Sequence, residues 1–139
     1  MTGPGDTGEG DLLRASMPFV RTLGINTLVS TPGEVRARLE WAPELCTAGG
    51  VLHGGAIMAL ADSTGGSCAF LNLPEGAGGT TTIESKTNFL RAVRDGHIES
   101  VSRPLHAGRT VIVVETDVVD AGGRLVARVT QSQAVLRQG

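Results

Sequence analysis

The sequence predicts an α+β domain in which an antiparallel β-sheet wraps around one long central helix, with a short helix near the N-terminus. Residues 54–71 are apolar or small almost throughout, which is typical of a buried helix. Residues 34–41 alternate between charged and apolar side chains, which indicates a half-buried strand. Residues 80–136 hold further β-forming stretches separated by glycine-containing turns. One helix between strands in this order must lie across one face of the sheet.

The composition fits one domain and argues against several kinds of partner. A chain of 139 residues can bury a core, and with 3 % aromatic residues that core must be aliphatic. The formal net charge of −2 and the absence of tyrosine argue against nucleic-acid binding. No run reaches the roughly 18 apolar residues of a membrane span, so we expect no membrane partner and a cytoplasmic location. Cys46 and Cys68 are expected to be reduced, packed thiols, and the histidines and cysteines lack metal-ligand spacing.

The first half of the chain predicts a tail, a short helix, a strand and the central helix. Residues 1–10 are expected to be a flexible tail, and residues 11–139 the folded domain. Residues 11–23 predict a short helix that Pro18 interrupts or kinks. After the turn at 31–33, one face of the strand carries apolar side chains, namely Val35, Ala37, Leu39 and Trp41.

The second half predicts four strands. They cover residues 80–93, 96–107, 108–120 and 124–136. A two-residue turn at Asp95-Gly96 precedes the second of these strands. Residues 121–123 form a hairpin turn, so the last strands complete a meander.

The start of the central helix is the first candidate for chemistry. A helix N-terminus presents unpaired backbone N–H groups and a partial positive charge. Gly54 and Gly55 stand where this end is expected, and without Cβ atoms they allow a substrate oxygen to approach. The pair therefore suggests an oxyanion hole. The alternative is that the glycines serve only a tight turn or close packing against a strand.

Asp62 is the second candidate, because a carboxylate in an apolar, buried helix is costly unless it is paired or used. Its functional role would be that of a base or nucleophile. The alternative is a partly exposed side chain, or one bonded to Ser63 or Thr64.

The spacing of the two candidates constrains the assembly. Eight residues at a rise of 1.5 Å place Gly54 and Asp62 about 12 Å apart along the axis, too far to act on one carbonyl. If both act on one substrate, a second helix must run antiparallel beside the first. The hypothesis therefore requires at least a dimer, with Asp62 of one subunit facing Gly54 of the other.

His53 precedes the glycines and could donate a hydrogen bond, act as a base, or orient the loop. A structural role is the simpler interpretation for one histidine at a helix start. The sequence contains neither a G-x-S-x-G nucleophile elbow nor a G-x-x-x-x-G-K-[ST] phosphate loop.

These stretches in combination resemble a known family. GGVLHGGAIMALADSTGG, the later TTIESKTNFLRAV, and GRTVIVVETDVVDAGGRLVARVTQSQAVL are similar to the hotdog-fold acyl-CoA thioesterases of the PaaI-like type. The resemblance covers about residues 10–137. It implies a central helix wrapped by an antiparallel sheet, a homodimer with a continuous sheet, and commonly a homotetramer. It also implies a coenzyme A thioester as substrate and no separate cofactor.

The resemblance implies roles for individual residues. The Gly54 amide, helped by Gly55, would polarise the thioester carbonyl, Asp62 of the partner subunit would be nucleophile or general base, and His53 would support the loop. Thr82 takes the place of a hydroxyl residue that faces the active site. Two further segments match those that border the CoA nucleotide, with Arg91, Arg94 and Arg109 available for its phosphates. These segments contribute Phe89, Arg91 and Arg94, and His106, Gly108, Arg109 and Thr110.

Three positions depart from the family pattern. Thr47, six residues before His53, replaces an Asn or Gln that helps to hold the carbonyl, which affects the expected rate or substrate choice. Ala92 replaces a proline, a minor change. Gly66 replaces a threonine of some relatives, so a hydroxyl that positions water would come from Thr82 or Ser63.

Three functions therefore compete. Thioester hydrolysis leads, with a medium-chain or aromatic acyl group. A non-catalytic acyl-CoA sensor on the same fold is the alternative, although such a protein has no need of Asp62. A dehydratase or hydratase would need a histidine paired with a carboxylate, and here only His53 with Asp62 is available.

Overall fold

The computed structural model describes residue 14 and residues 16–138, and these form one sheet packed against one long helix. The predicted tail at 1–10 lies outside the described residues. A short helix α1 spans Pro18–Leu23 and the central helix α2 spans Gly54–Leu71. Two 3₁₀ turns, Pro43–Leu45 and Ala48–Gly50, lie in the loop before α2.

Six antiparallel strands form the sheet in the order β1-β2-β4-β5-β6-β3. Their bounds are β1 Asn26–Thr31, β2 Glu34–Glu40, β3 Ala77–Phe89, β4 His97–Ala107, β5 Val111–Asp120 and β6 Leu125–Arg137. The predicted α+β class, central helix and final meander are confirmed. The strand β1 was not predicted. It pairs with β2, and residues 32–33 form the turn between the two strands.

Proline explains where α1 begins. Pro18 is the first residue of α1, and Met17 before it is extended. Its fixed φ and missing N–H suit the first turn of a helix and not the interior. The predicted interruption at Pro18 is therefore confirmed.

The connection from β3 to β4 is not a hairpin, although Asp95-Gly96 suggested a turn. β3 pairs with β6 at one edge, whereas β4 pairs with β2 and β5. Residues 90–96 therefore cross from one part of the sheet to another. Leu52, just before α2, donates its N–H to the carbonyl of Val93 at 2.8 Å, which places this crossing beside the start of the helix.

The core between α2 and the sheet is divided by polar side chains. One apolar cluster lies toward the start of α2 and includes Ile57 and Leu60, and another lies toward its end around Cys68. Between them lies a buried set that we call the polar belt, consisting of Thr64, Ser100, Ser102, Thr116, Gln131 and Gln133. The Ser102 hydroxyl lies 2.9 Å from that of Thr64 and 2.7 Å from that of Thr116.

Candidate active site

The start of α2 leaves one backbone amide open. His53 caps the helix, and its Nδ1 accepts the Gly55 N–H at 2.7 Å. The His53 carbonyl accepts the N–H of Ala56 at 2.9 Å. The Gly54 N–H makes no hydrogen bond with any described residue. Of the predicted glycine pair, only Gly54 thus presents a free donor, because a short side-chain cap already occupies Gly55.

The same contact decides what His53 can do. A backbone N–H can only donate, so the Nδ1 that accepts it carries no proton. In this arrangement Nδ1 is not available as a base, and a neutral imidazole presents its N–H at Nε2. His53 thus caps the helix start in this structure, and its Nε2–H can still donate a hydrogen bond, so its part in any reaction stays a prediction.

The Phe89 ring lies close to Gly54. A Cβ placed on Gly54 would be 3.2 Å from Cζ of the Phe89 ring, closer than ordinary carbon contacts. Glycine at this position therefore keeps space between the helix start and the end of β3. The structure brings together Gly54 and Phe89, two residues that the sequence had proposed separately.

An open, mostly apolar cavity of about 200 Å³ lies at the start of α2, where Gly55 lines it. Its wall comes from α1, from the loop before α2, and from the first two turns of α2. The side chains of small and aliphatic residues dominate it, namely Leu23, Leu45, Ala56 and Ala59, with Phe19 at the rim. A cavity of this kind suits a small apolar group bound beside the helix start.

Asp62 lies on the exposed side of α2, not in the core. This corrects the expectation of a buried carboxylate: one stripe of an apparently apolar helix faces away from the sheet. The Oδ1 of Asp62 accepts the Thr82 hydroxyl at 3.2 Å and the Gln131 Nε2–H at 3.3 Å. Bonding to Ser63 or Thr64 is excluded, since both hydroxyls donate to helix carbonyls.

Sequence reasoning missed Gln131 and Gln133. Both are buried on β6, and Gln133 donates its Nε2–H to the Thr82 hydroxyl at 2.7 Å. A signal was present, because the two glutamines lie at every-second positions between Val129 and Val135 and therefore share the inward face of the strand with them. Two amides at positions that alternation assigns to the core indicate a polar partner on the facing element.

The predicted nucleotide-binding segments lie at opposite ends of the sheet. Arg91 and Arg94 follow the end of β3, while residues 106–110 form the β4–β5 hairpin. The start of β5 is level with Thr81, because Val111 and Thr81 both pair with Ala134. Eight residues of β3 separate Thr81 from Phe89, which corresponds to about 26 Å. One chain alone cannot place both segments on one small ligand group.

Thr47 and the arginines are exposed in the loops. The Thr47 N–H donates to the Val51 carbonyl at 2.8 Å, and its hydroxyl makes no hydrogen bond within the described chain. Arg94 reaches the Gly49 carbonyl at 3.5 Å. Within the described residues, Arg91 and Arg109 form no ion pair, so both guanidinium groups remain open to an anion.

Other groups add little chemistry. Both cysteines are free thiols, and burial raises the pKa of Cys68 to about 11, so this thiol is a packing group. Among the described residues, no group of three or more His, Cys, Asp or Glu side chains is placed to hold a metal ion. None of the described helices is long and apolar enough to cross a membrane.

An antiparallel sheet packed against one long central helix is the architecture of a hotdog-fold domain. A sequence model described as "thioesterase superfamily" matches residues 49–127, more than half of the chain. The protein belongs to this superfamily.

Individual relatives agree with this assignment. The chain is 34 % identical over 130 residues to 1,4-dihydroxy-2-naphthoyl-CoA hydrolase of Escherichia coli, covering 93 % of this chain and 89 % of that one. A crystal structure of a mutant of thioesterase PA1618 from Pseudomonas aeruginosa matches with a TM-score of 0.87 and 26 % identity, over 96 % and 97 % of the two chains. Thioesterase HI1161 from Haemophilus influenzae matches with a TM-score of 0.82 and 26 % identity, over 91 % and 87 %.

Proposed function

We propose that the protein hydrolyses acyl-CoA thioesters to a free acid and CoA. The observation that carries the proposal is the open Gly54 N–H at the start of an 18-residue helix, beside an apolar cavity. A carbonyl oxygen bound there would receive a hydrogen bond and the favourable field of the helix. Membership of the thioesterase superfamily and similarity to a CoA hydrolase support this chemistry.

We propose further that the working unit is a dimer. Met58, Asp62, Gly66 and Phe70 are spaced four residues apart along one side of α2, and the Met58 and Phe70 side chains are 40 % and 57 % exposed. β3 is an edge strand of 13 residues, and Ile83 on it is 61 % exposed. A long strand with one unpaired edge, and a helix stripe with exposed apolar side chains, are features that association covers.

A two-fold axis between such surfaces would complete the site. Pairing of β3 with its copy places the two α2 helices antiparallel, so that Asp62 of the partner subunit approaches Gly54. The same axis brings the β4–β5 hairpin with Arg109 toward the other subunit's Arg91 and Arg94, where the three guanidinium groups would meet phosphates. Gly54 and Asp62 are about 12 Å apart within one chain, and the β4–β5 hairpin and the end of β3 are about 26 Å apart. In the composite site each of these pairs would meet across the two subunits.

The reaction follows from these positions. The Gly54 N–H would stabilise the developing oxyanion, and Asp62 would either take a proton from the attacking water or attack the carbonyl itself. If Asp62 acts as a base, the water adds to the carbonyl carbon, the C–S bond breaks, and CoA leaves as the thiolate, which takes up the proton. If Asp62 attacks the carbonyl, loss of the CoA thiolate leaves a mixed anhydride, and one water then hydrolyses this anhydride to release the acid and restore the carboxylate. The tetramer, the PaaI-like subtype and the cytoplasmic location stay predictions from the sequence.

Thiol release from a panel of acyl-CoAs tests the proposal, with short, medium and long aliphatic, phenylacetyl and hydroxybenzoyl groups. We expect one class to be hydrolysed well above the others, and Asp62→Asn to lower kcat by about 10²–10⁴-fold. Glu40→Gln is the matched control, because Glu40 is exposed at the end of β2 and makes no ion pair with the described residues. Tight binding of CoA esters without turnover of any of them would favour the sensor function instead.

A further inference from the structure

The carboxylate of Asp62 is held at one oxygen only. Thr82 and Gln131 both donate to Oδ1, and Gln133 donates to Thr82. Within the described residues, Oδ2 accepts no hydrogen bond. Two donors on one oxygen restrict rotation about the terminal bond of the side chain and leave the second oxygen directed elsewhere.

Gln131 is retained at a cost to stability. Its side chain is fully buried, and its Oε1 has no hydrogen-bond partner among the described residues. A buried amide with an unsatisfied oxygen is less favourable than an aliphatic side chain of similar size. The strand neighbours on this face, Val129 and Val135, are aliphatic. Packing alone therefore does not account for glutamine here.

Helix α2 also makes room for this amide. Gly65 lies three residues after Asp62 in the middle of the helix and is buried. A Cβ placed on Gly65 would overlap the Oε1 of Gln131. Glycine within a helix is itself destabilising relative to alanine. Gln131 on β6 and Gly65 in α2 are thus both unfavourable for stability, and both are needed for the contact between Gln131 and Asp62.

We propose that Gln131 is a positioning residue that, with Thr82, fixes Oδ1 of Asp62 so that Oδ2 faces the substrate carbonyl or the attacking water. Gln133 aims the Thr82 hydroxyl, and Gly65 provides the space that the Gln131 amide needs. This inference rests on the proposed function, since it assigns Asp62 to the reaction.

The test uses Gln131→Met, which keeps the length and apolar stem of the side chain and removes its donor. Loss of one orienting hydrogen bond predicts a kcat about tenfold lower with KM within about twofold of the wild-type value. The melting temperature should be unchanged or higher, because the unsatisfied Oε1 is removed as well. A merely structural role predicts the reverse, a lower melting temperature with kcat unchanged.

Two further variants keep the inference falsifiable. In an Asp62→Ala background, Gln131→Met should have no additional effect on the residual kcat, because the group that it positions is gone. Gly65→Ala should lower kcat in the wild-type background by displacing the amide, and should be tolerated once Gln131 is methionine. Equal, additive losses in both backgrounds would overturn the positioning role.

The outcomes also separate this inference from the proposed function. If Asp62→Asn keeps full thiol release, the proposed function fails at its carboxylate. If Asp62→Asn removes activity but Gln131→Met has wild-type kcat, only the positioning role of Gln131 is wrong.

Discussion

At the scale of single residues, His53, Gly54 and Gly55 together determine which backbone amide is free at the start of α2. His53 occupies the Gly55 amide, and this leaves the Gly54 amide as the open donor. The sequence identified all three residues, because histidine followed by paired glycines at a helix start is visible locally. Which amide stays free was not visible, since it depends on the rotamer of one ring.

The Gly54 position allows a clean removal of the donor. Gly54 is the first residue of the helix, where proline is tolerated, and His53 before it is extended with φ −63° and ψ 134°, as a residue before proline requires. Gly54→Pro therefore deletes the N–H while keeping the helix, and we expect kcat to fall by about 10²–10³-fold. Gly54→Ala is the matched control, because it adds a Cβ against Phe89 but keeps the amide.

Steady-state kinetics and circular dichroism of both variants check this prediction. Alanine should retain most of the activity, since the Phe89 ring is half exposed and can move by the few tenths of an ångström required. Equal losses in the two variants would show that bulk near Phe89, and not the amide, determines the rate.

At the scale of elements, α2 and β6 are coupled through the polar belt. The apolar, small-residue composition of α2 and the β-forming residues of β6 were each readable, and they located both elements along the chain. Their mutual register was not readable, so the contact of Gln131 with Asp62 could not be derived. The crossing at 90–96 was not readable either, because Asp95-Gly96 favours a turn whichever strands it joins.

The β5–β6 turn makes a prediction about pH. Backbone hydrogen bonding from Arg124, followed by the charge and side-chain hydrogen bond of Arg124, holds the pKa of Asp120 below its ordinary value of 3.8. A lowered pKa means that the ionised carboxylate stabilises the fold above the unfolded-state pKa, and that this contribution is lost as the pH falls through the folded-state pKa. Asp120→Asn should therefore lower the free energy of unfolding at pH 7, and the difference from wild type should shrink as the pH falls below the ordinary value of 3.8.

Urea unfolding at pH 7 and at a series of pH values below 3.8 measures this effect. Asp95→Asn is the control, because Asp95 is exposed and makes no hydrogen bond or ion pair with the described residues. A deficit in Asp120→Asn that stays constant with pH would assign the effect to turn geometry and not to charge.

At the scale of the whole molecule, the composite site makes a prediction about mixed dimers. Gly54→Pro and Asp62→Asn each disable both sites of a homodimer. In a mixed dimer, one site carries both defects and the other carries none. Random reassortment makes half of the dimers mixed, so about a quarter of wild-type activity should return. Co-refolding the two variants and assaying thiol release measures it, and a mixture no more active than its parents would exclude a site shared between subunits.

The sequence by itself determined the α+β class, the start of the central helix at Gly54, and the candidate donor and carboxylate. These depend on periodicity, capping and turn preferences that act over a few residues. The tertiary structure alone decided that β3 pairs with β6, that His53 occupies the Gly55 amide, and that two buried glutamines reach Asp62 and Thr82. Contacts between residues as far apart as 62 and 131 depend on the register and packing of the whole sheet. Local sequence preferences do not determine that register.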